Sequence, residues 1–344
     1  MLKHLTYIKF ITLILCFVFI FSFFVFKKTQ APTYTNESNT PNKEVKILIF
    51  GDMMLDRGIR QKINETGPEY PFELIKNELS DNDIVVANAE GPFTNFDSVT
   101  LGTKNGPLIF TFDPTILKTL KKLGFTLLGQ ANNHTLDFGN EGFYQSTTSI
   151  TLAGLSYFGD PLNMDISPYI KEINGEKIGL IAYNEFSYQG KDKVISKIEG
   201  IKKEVSYLIV YPHWGEEYNQ SFTLTQKKTA HDFIDAGADV VIGTHPHVIE
   251  PIEIYKGKPI FYSIGNFIFD QFQIKSTTEG LFIQILLSKN SITYKINPFS
   301  IKHAQASLMD TENRQTVLDL LQKNIVNTDD SKENITTGTI TILR

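Results

Sequence analysis

Val45–Arg57 reads VKILIFGDMMLDR, and its two halves set the reading of the whole chain. The first half is apolar apart from Lys46, with no polar alternation. Such a run suits a strand covered on both faces, as in a sheet flanked by helices. The second half opens on Gly51-Asp52, an acidic side chain directly beyond the expected strand Lys46–Phe50. The same arrangement recurs along the chain. Asn88 and Glu90 follow Ile84–Ala87, and Asn132, Asn133 and His134 follow Phe125–Leu128. His213 follows Tyr207–Tyr211, after a further strand at Ile178–Tyr183. His245 and His247 follow Val240–Ile242, and Asn266 and Asp270 follow Ile260–Tyr262.

Between these strands the pattern predicts helices over Pro71–Leu79, Pro114–Leu123, Gly142–Ala153 and Thr225–Ala236. Asp113 before Pro114 is a good helix start, and Gly124 and Gly237 stand where C-caps are expected. Gly280–Ile296 reads as two strands around Lys289–Asn290, and Thr339–Leu343 as a closing strand. Asn95–Thr111 has turn residues and no period, so it reads as a long loop near the site. Strands alternating with helices predict a layered α/β domain. In open α/β sheets ligands bind beyond the carboxyl ends of strands. Six strand exits then converge on one rim.

Composition narrows the chemistry. The 344 residues include 33 Lys+Arg against 38 Asp+Glu, a net charge of −5, and no basic run suggests a nucleic-acid partner. An apolar share of 41% fits a globular core and excludes disorder along most of the chain. The single Cys excludes an internal disulfide framework and a Cys-rich metal site. A metal centre must therefore use His, Asp, Glu and Asn.

Ahead of the domain, Phe10–Phe26 is an uncharged run of 17 residues, long enough to span a bilayer. It exits at Lys27-Lys28 without a small-residue cleavage pattern, so it reads as an uncleaved anchor. Lipidation at Cys16 is disfavoured by the bulky Leu15. The flanking Lys residues are nearly balanced and leave orientation undecided; a single anchor before a large soluble part is expected to place that part outside the cell. Ala31–Lys43 is polar and reads as a tether. The expected organisation is an anchor over 1–28, a linker over 29–44, the α/β domain over 45–300 and a C-terminal extension over 301–344 that completes or flanks it.

The polar residues at the strand exits suit a divalent cation. Imidazole fits Zn, Fe, Mn or Ni, while carboxylate and amide oxygens fit Mn and Mg. In His245-Pro246-His247 residues i and i+2 point the same way if the chain is extended, and Pro246 biases His245 toward extension. Glu90 is placed to bridge two cations. The guanidinium fork of Arg57 suits a phosphate or carboxylate of a substrate, against the alternative of a structural ion pair. Glu217 and Tyr218 are expected on the same rim. Asn88, Asn266 and Asp270 are expected to stand behind the ligands and hold their loops. His231, within a helical pattern, reads as structural, and Trp214 as core.

Taken in order, GDMMLDR (Gly51–Arg57), NAEGP (Asn88–Pro92), ANNHTLDFG (Ala131–Gly139), HWGEEY (His213–Tyr218), GTHPHVIEP (Gly243–Pro251) and SIGNFIFDQ (Ser263–Gln271) resemble the CapA/PgsA family of bacterial capsule and poly-γ-glutamate synthesis proteins. The resemblance implies a layered α/β sandwich of the metallophosphoesterase type, with a metal site at strand ends and one N-terminal transmembrane helix. It implies that Asp52, Glu90, Asn133, His213, His245 and His247 hold one or two metal ions. His134 would be the catalytic acid, and Asp137, three residues on, would orient it. Met54 stands where that superfamily usually has a histidine, so one metal position lacks an imidazole. The implied role is metal-dependent hydrolysis in the synthesis, export or processing of an anionic polymer such as poly-γ-glutamate, together with other membrane proteins of a capsule synthase. The alternative is a non-catalytic accessory subunit. A solute-binding protein is a weaker reading, because its two-lobed cleft needs no His-Pro-His site.

Overall fold

The first strand shows how the layers arise. In the computed structural model, which describes residues 44–101, 106–187, 190–327 and 335–344, β1 (Val45–Met53) is buried almost throughout. Val45, Ile47 and Ile49 join one apolar cluster, and Leu48, Phe50 and Met53 join another. Side chains alternate across a strand, so a strand apolar at every position must be covered on both sides.

The chain continues through α1 (Arg57–Thr66), α2 (Lys76–Leu79), β2 (Ile84–Ala89), α3 (Ile116–Leu123), β3 (Leu127–Gly129), α4 (Gly139–Leu152), β4 (Ser156–Phe158), β5 (Tyr169–Ile173), β6 (Glu176–Asn184), α5 (Lys191–Ile201), β7 (Tyr207–His213) and α6 (Leu224–Ala236). It then forms β8 (Val240–Ile242), β9 (Ile252–Tyr255), β10 (Lys258–Phe261), β11 (Asn266–Ile268), β12 (Glu279–Leu287), β13 (Ser291–Lys302), β14 (Gln305–Leu308), α7 (Thr311–Asn324), β15 (Val326–Asn327) and β16 (Thr339–Leu343).

Two mixed sheets result. One runs β14-β13-β12-β1-β2-β3-β4, with β11 paired to β1 and β16 to β13; the other runs β15-β9-β10-β8-β7-β6-β5. Between them lie Ile47, Ile49 and Val86 of the first sheet with Leu180, Ile209 and Ile242 of the second. The outer face of the first sheet packs Phe50 and Leu128 against Phe72, Leu120 and Ile150. The outer face of the second packs Val210 and Val241 against Val194, Ile198 and Phe233. The order helix, sheet, sheet, helix gives three apolar layers. Fully burying each such side chain contributes about 1.5–3 kcal/mol.

Several elements differ from the sequence reading. The helix predicted over Pro71–Leu79 is broken into a 3-10 turn at Tyr70–Phe72 and a single turn at Lys76–Leu79. Phe72, Ile75 and Leu79 are each buried, and their apolar spacing is met by two short turns laid on the sheet. Three helices were not predicted. In α1 only Ile59 is buried, so its apolar signal is weak. In α5 the Val194, Ile198, Ile201 spacing is helical, and in α7 Asp310 caps the start by accepting from Asn313 N. α6 starts on a capping box made by Thr223 and Gln226. β13 runs through residue 300, so the strand and its partners β14 and β16 belong to the first sheet.

The expected anchor at Phe10–Phe26 and the tether up to Lys43 lie outside the described residues. Among the described residues no helix is long and apolar enough to cross a membrane.

Candidate metal centre

The polar residues of six strand ends meet at one end of the two packed sheets. Asp52 lies within β1, where the pairing with β2 shifts register between Ile49 and Asp52. Such an irregularity re-aims a side chain. The approach is made possible by glycine. A Cβ on Gly51 would sit 1.8 Å from the Gly265 carbonyl oxygen, and one on Gly243 would sit 1.9 Å from the Tyr262 oxygen. Only glycine lets β11 close on β1, and β10 on the end of β8, beside the ligands.

Two groups of side chains can each hold a metal ion: Asp52, Glu90 and His213, and Glu90, His245 and His247. In each, the donor atoms lie within 4.8 Å of one another, and Glu90 is common to both. His247 Nε2 is 3.7 Å and His134 Nε2 4.0 Å from Glu90 Oε1. His213 Nδ1 is 3.7 Å from Asp52 Oδ1, and His247 Nδ1 3.6 Å from Asp52 Oδ2. His213 Nε2 lies 2.8 Å from Asn133 Oδ1 and 3.2 Å from His245 Nδ1. All six expected ligands are thus brought to one place.

The residues behind them fix their orientation. Asn88 Nδ2 donates to Asp52 Oδ1 at 2.8 Å. Asn266 Nδ2 donates to Gln271 Oε1 and the Thr277 carbonyl, which leaves its Oδ1 to accept from His247 Nδ1 at 2.9 Å. The His247 Nε2 lone pair is then free on the side of Glu90. Thr244 Oγ1 donates to the Pro212 carbonyl and lies 3.0 Å from His213 Nδ1. His134 Nδ1 is 2.8 Å from Asp137 Oδ2, which also accepts from Phe110 N at 2.7 Å. That grip leaves His134 Nε2 facing the cluster.

The His-Pro-His reading needs correction at the backbone. His245 and His247 have φ of 98° and 60°, so the chain is not extended there. The imidazoles face the site through left-handed bends. The bends are held by His245 N donating to Asp52 Oδ2 at 2.9 Å and by Tyr218 N donating to the Pro246 carbonyl at 2.8 Å. Each such residue costs on the order of 1–3 kcal/mol, and this strain persists only where the surroundings impose it.

Arg57 takes up the ion-pair alternative: its Nη2 is 3.0 Å from Asp270 Oδ1, with the guanidinium 5.8 Å from the Phe110 ring. Tyr218 and Glu217 are exposed on the rim. The Tyr218 ring lies 6.0 Å from that of His247, and the Glu217 charge acts on Glu90. Asp270 accepts from Gly58 N and so ties the last loop to α1.

The sequence reading missed the packing of the site. Phe110 packs tilted against His134 with ring centres 4.3 Å apart, Phe186 against His245 at 4.2 Å and Phe269 against His247 at 4.8 Å. It also gave Asn132 no role of its own. Asn132 is buried and bonds Asn88 Oδ1, the Ala89 carbonyl, His134 N and Thr135 Oγ1, so one amide ties the His134 loop to β2. The doubled Asn in ANNH was the available signal.

Electrostatics test whether a cation fits. Burial pushes the Asp52 carboxyl up to about 7, against hydrogen bonds from Asn88 and the His245 backbone. Glu90 is held well above the carboxylate range, first by burial and then by the charge of Asp52. Burial and neighbouring imidazoles hold His213 well below its usual value and His245 down to about 3, while burial brings His247 to about 4. Both Glu90 oxygens are buried without a hydrogen-bond partner. A bare buried carboxylate costs several kcal/mol, and a cation among neutral imidazoles removes that cost. The donor set fits a divalent metal ion.

The family model described as "Bacterial capsule synthesis protein PGA_cap" matches residues 46–271. The chain is 28% identical over 339 residues to "PGA biosynthesis protein CapA" of Bacillus subtilis, covering 91% of this chain and 86% of that one. It is 28% identical over 281 residues to "Capsule biosynthesis protein CapA" of Bacillus anthracis, covering 76% and 68%. Among solved structures, a putative 5'-nucleotidase from Staphylococcus aureus aligns with a TM-score of 0.44 at 11% identity, covering 81% of this chain and 58% of that one. With its match spanning every strand exit that feeds the cluster, the chain belongs to the bacterial capsule synthesis protein family.

Proposed function

We propose that the chain is a membrane-anchored hydrolase of the metallophosphoesterase type, acting on an anionic capsule polymer of the poly-γ-glutamate kind. Its α/β domain lies outside the cell. The observation that carries this reading is the Glu90 carboxylate, buried, unpartnered and shared by two donor groups. Asp52, Glu90, Asn133, His213, His245 and His247 hold one or two divalent ions. An ion held there would supply Lewis acidity for the hydrolysis. His134, with Asp137 gripping Nδ1, presents Nε2 to the leaving group and hands it a proton, a step worth about 10²–10⁴-fold. Phe110 lies against the His134 imidazole and Phe186 against that of His245. The names of the Bacillus relatives support the polymer class.

The test uses the full chain in detergent. Metal content is measured by mass spectrometry, and turnover on a generic phosphodiester and on poly-γ-glutamate with and without chelator. The expected result is bound metal and chelator-sensitive turnover, with His134→Ala keeping the metal and losing turnover. A chain that holds no metal and turns over neither substrate ends this reading.

One observation favours the accessory alternative. Met54 is fully buried and its sulfur accepts from Asp56 N, so it supplies no ligand to the cluster. A His245→Ala chain that restores polymer fully in a deletion strain, at equal abundance, would select that alternative.

A further inference from the structure

Beyond the Arg57–Asp270 pair the loop leaves the metal cluster. Together with the start of α1 and the β13–β14 hairpin it lines an open cavity of about 530 Å³. That is within the range of small-ligand pockets, roughly 300–1,000 Å³. Lys62, Lys302 and His303 line it, with Phe272 and Ile301 as apolar wall, and no carboxylate stands among the described lining residues. The lining is thus basic in a chain of net charge −5. Part of the Lys62 charge is taken by Glu65 at 2.7 Å, and Lys302 acts on the nearby Asp310. Lys302 and His303 project from the hairpin and are exposed.

The hairpin supplies an independent observation. Lys302 pairs with Gln305, so the turn consists of His303 and Ala304, with φ of 52° and 65°. A two-residue turn of this hand favours Asn-Gly, because both residues must be left-handed. An ordinary side chain there costs roughly 1–2 kcal/mol. Ala304 is accounted for by burial in the outer apolar layer. His303 is exposed and has no packing role to explain it, and its imidazole stands over the cavity. Backbone strain concentrates at ligand clamps.

A run of contacts leads from the cavity to the metal cluster. Gly58 lines the cavity and donates to Asp270 Oδ2 at 3.0 Å. Asp270 pairs with Arg57, Arg57 lies over Phe110, and Phe110 packs on His134. We propose that this cavity is a subsite for a linear carboxylate polyanion, gripping a stretch of the chain whose neighbouring segment lies at the metal cluster. The proposal rests on the polymer reading above. Exposed lysine contacts are individually weak, so the grip is cumulative and sensitive to salt.

The test uses the full chain in detergent and a fluorescein-labelled γ-linked glutamate decamer, read by anisotropy. The variant is Lys302→Gln with His303→Asn; asparagine accepts the left-handed turn, so the fold is kept or gains stability, as thermal unfolding would show. Wild type should bind the decamer at about 20 mM salt and lose it at about 500 mM. The variant should bind at least about 5-fold more weakly, with phosphodiester turnover unchanged. A γ-linked glutamine decamer should not bind. Equal binding by wild type and variant, no binding by wild type, or equal binding of the neutral decamer overturns the subsite and leaves the metal reading standing. Loss of phosphodiester turnover by wild type alone, with decamer binding and its drop in the variant intact, overturns the hydrolase and leaves the subsite standing.

Discussion

Glu90 and Glu253 are both fully buried glutamates with histidine close by, and the fold treats them differently. Glu253 Oε1 lies 3.0 Å from His231 Nε2 and 3.6 Å from Lys227 Nζ, and its Oε2 accepts from Tyr262 OH. His231 is itself stacked on Tyr255 at 3.7 Å. Glu90 is surrounded by imidazoles that stop short of hydrogen bonding it, and both its oxygens are bare. Glu253 is therefore a closed network that stiffens the second sheet. Glu90 is an open one, arranged so that a cation completes it. Glu250 falls between: Oε2 accepts from Gln226 Nε2 at 2.7 Å, and Oε1 has no partner.

That contrast can be broken by experiment. Glu90→Gln should weaken metal binding about 10³-fold, read by metal titration, because it removes the charge shared by both donor groups. Its melting temperature in chelator should not fall; a large loss there would make Glu90 structural after all. Glu253→Leu should do the reverse, costing about 3 kcal/mol in urea unfolding by orphaning its partners while metal affinity stays unchanged. Chelating the wild-type chain should lower its stability by about 2–3 kcal/mol relative to metal at a hundred times its dissociation constant. The same treatment should leave Glu90→Gln unmoved. The smallest effect concerns Glu250, whose carboxyl burial pushes up to about 8 from the ordinary 4.5. The folded chain keeps that proton where the unfolded chain has released it. This contribution to stability is complete below pH 4.5 and is lost as pH rises toward 8. Glu250→Gln should therefore melt higher than wild type at pH 8, by about 5 °C, with little difference near pH 4.5.

Much of this was legible in the chain. Unbroken Val, Ile and Leu runs marked strands buried on both faces, and the polar residues that close them marked the rim. Thr339–Leu343 pairs along β13 as a strand with the predicted bounds. The Pro71–Leu79 segment was misread because its apolar spacing fits a helix equally well, and only contact with the sheet selects two separate turns. His245 and His247 do join the cluster, through left-handed bends and not the expected extended chain. Proline's local preference for an extended neighbour was overridden by bonds to Asp52 and Tyr218.

The sequence by itself determined which donor types exist, that they follow apolar strands, and that glycine stands beside them at Gly51 and Gly243. These are local properties, set by periodicity and by the steric freedom of one residue. Only the tertiary structure decided that the His245 amide meets the carboxylate of Asp52, 193 positions away, and that Glu90 stays bare while Glu253 is fully paired. Pairing across such distances depends on strand order and on strain that the surrounding layers hold in place, and neither is encoded in any short stretch of chain.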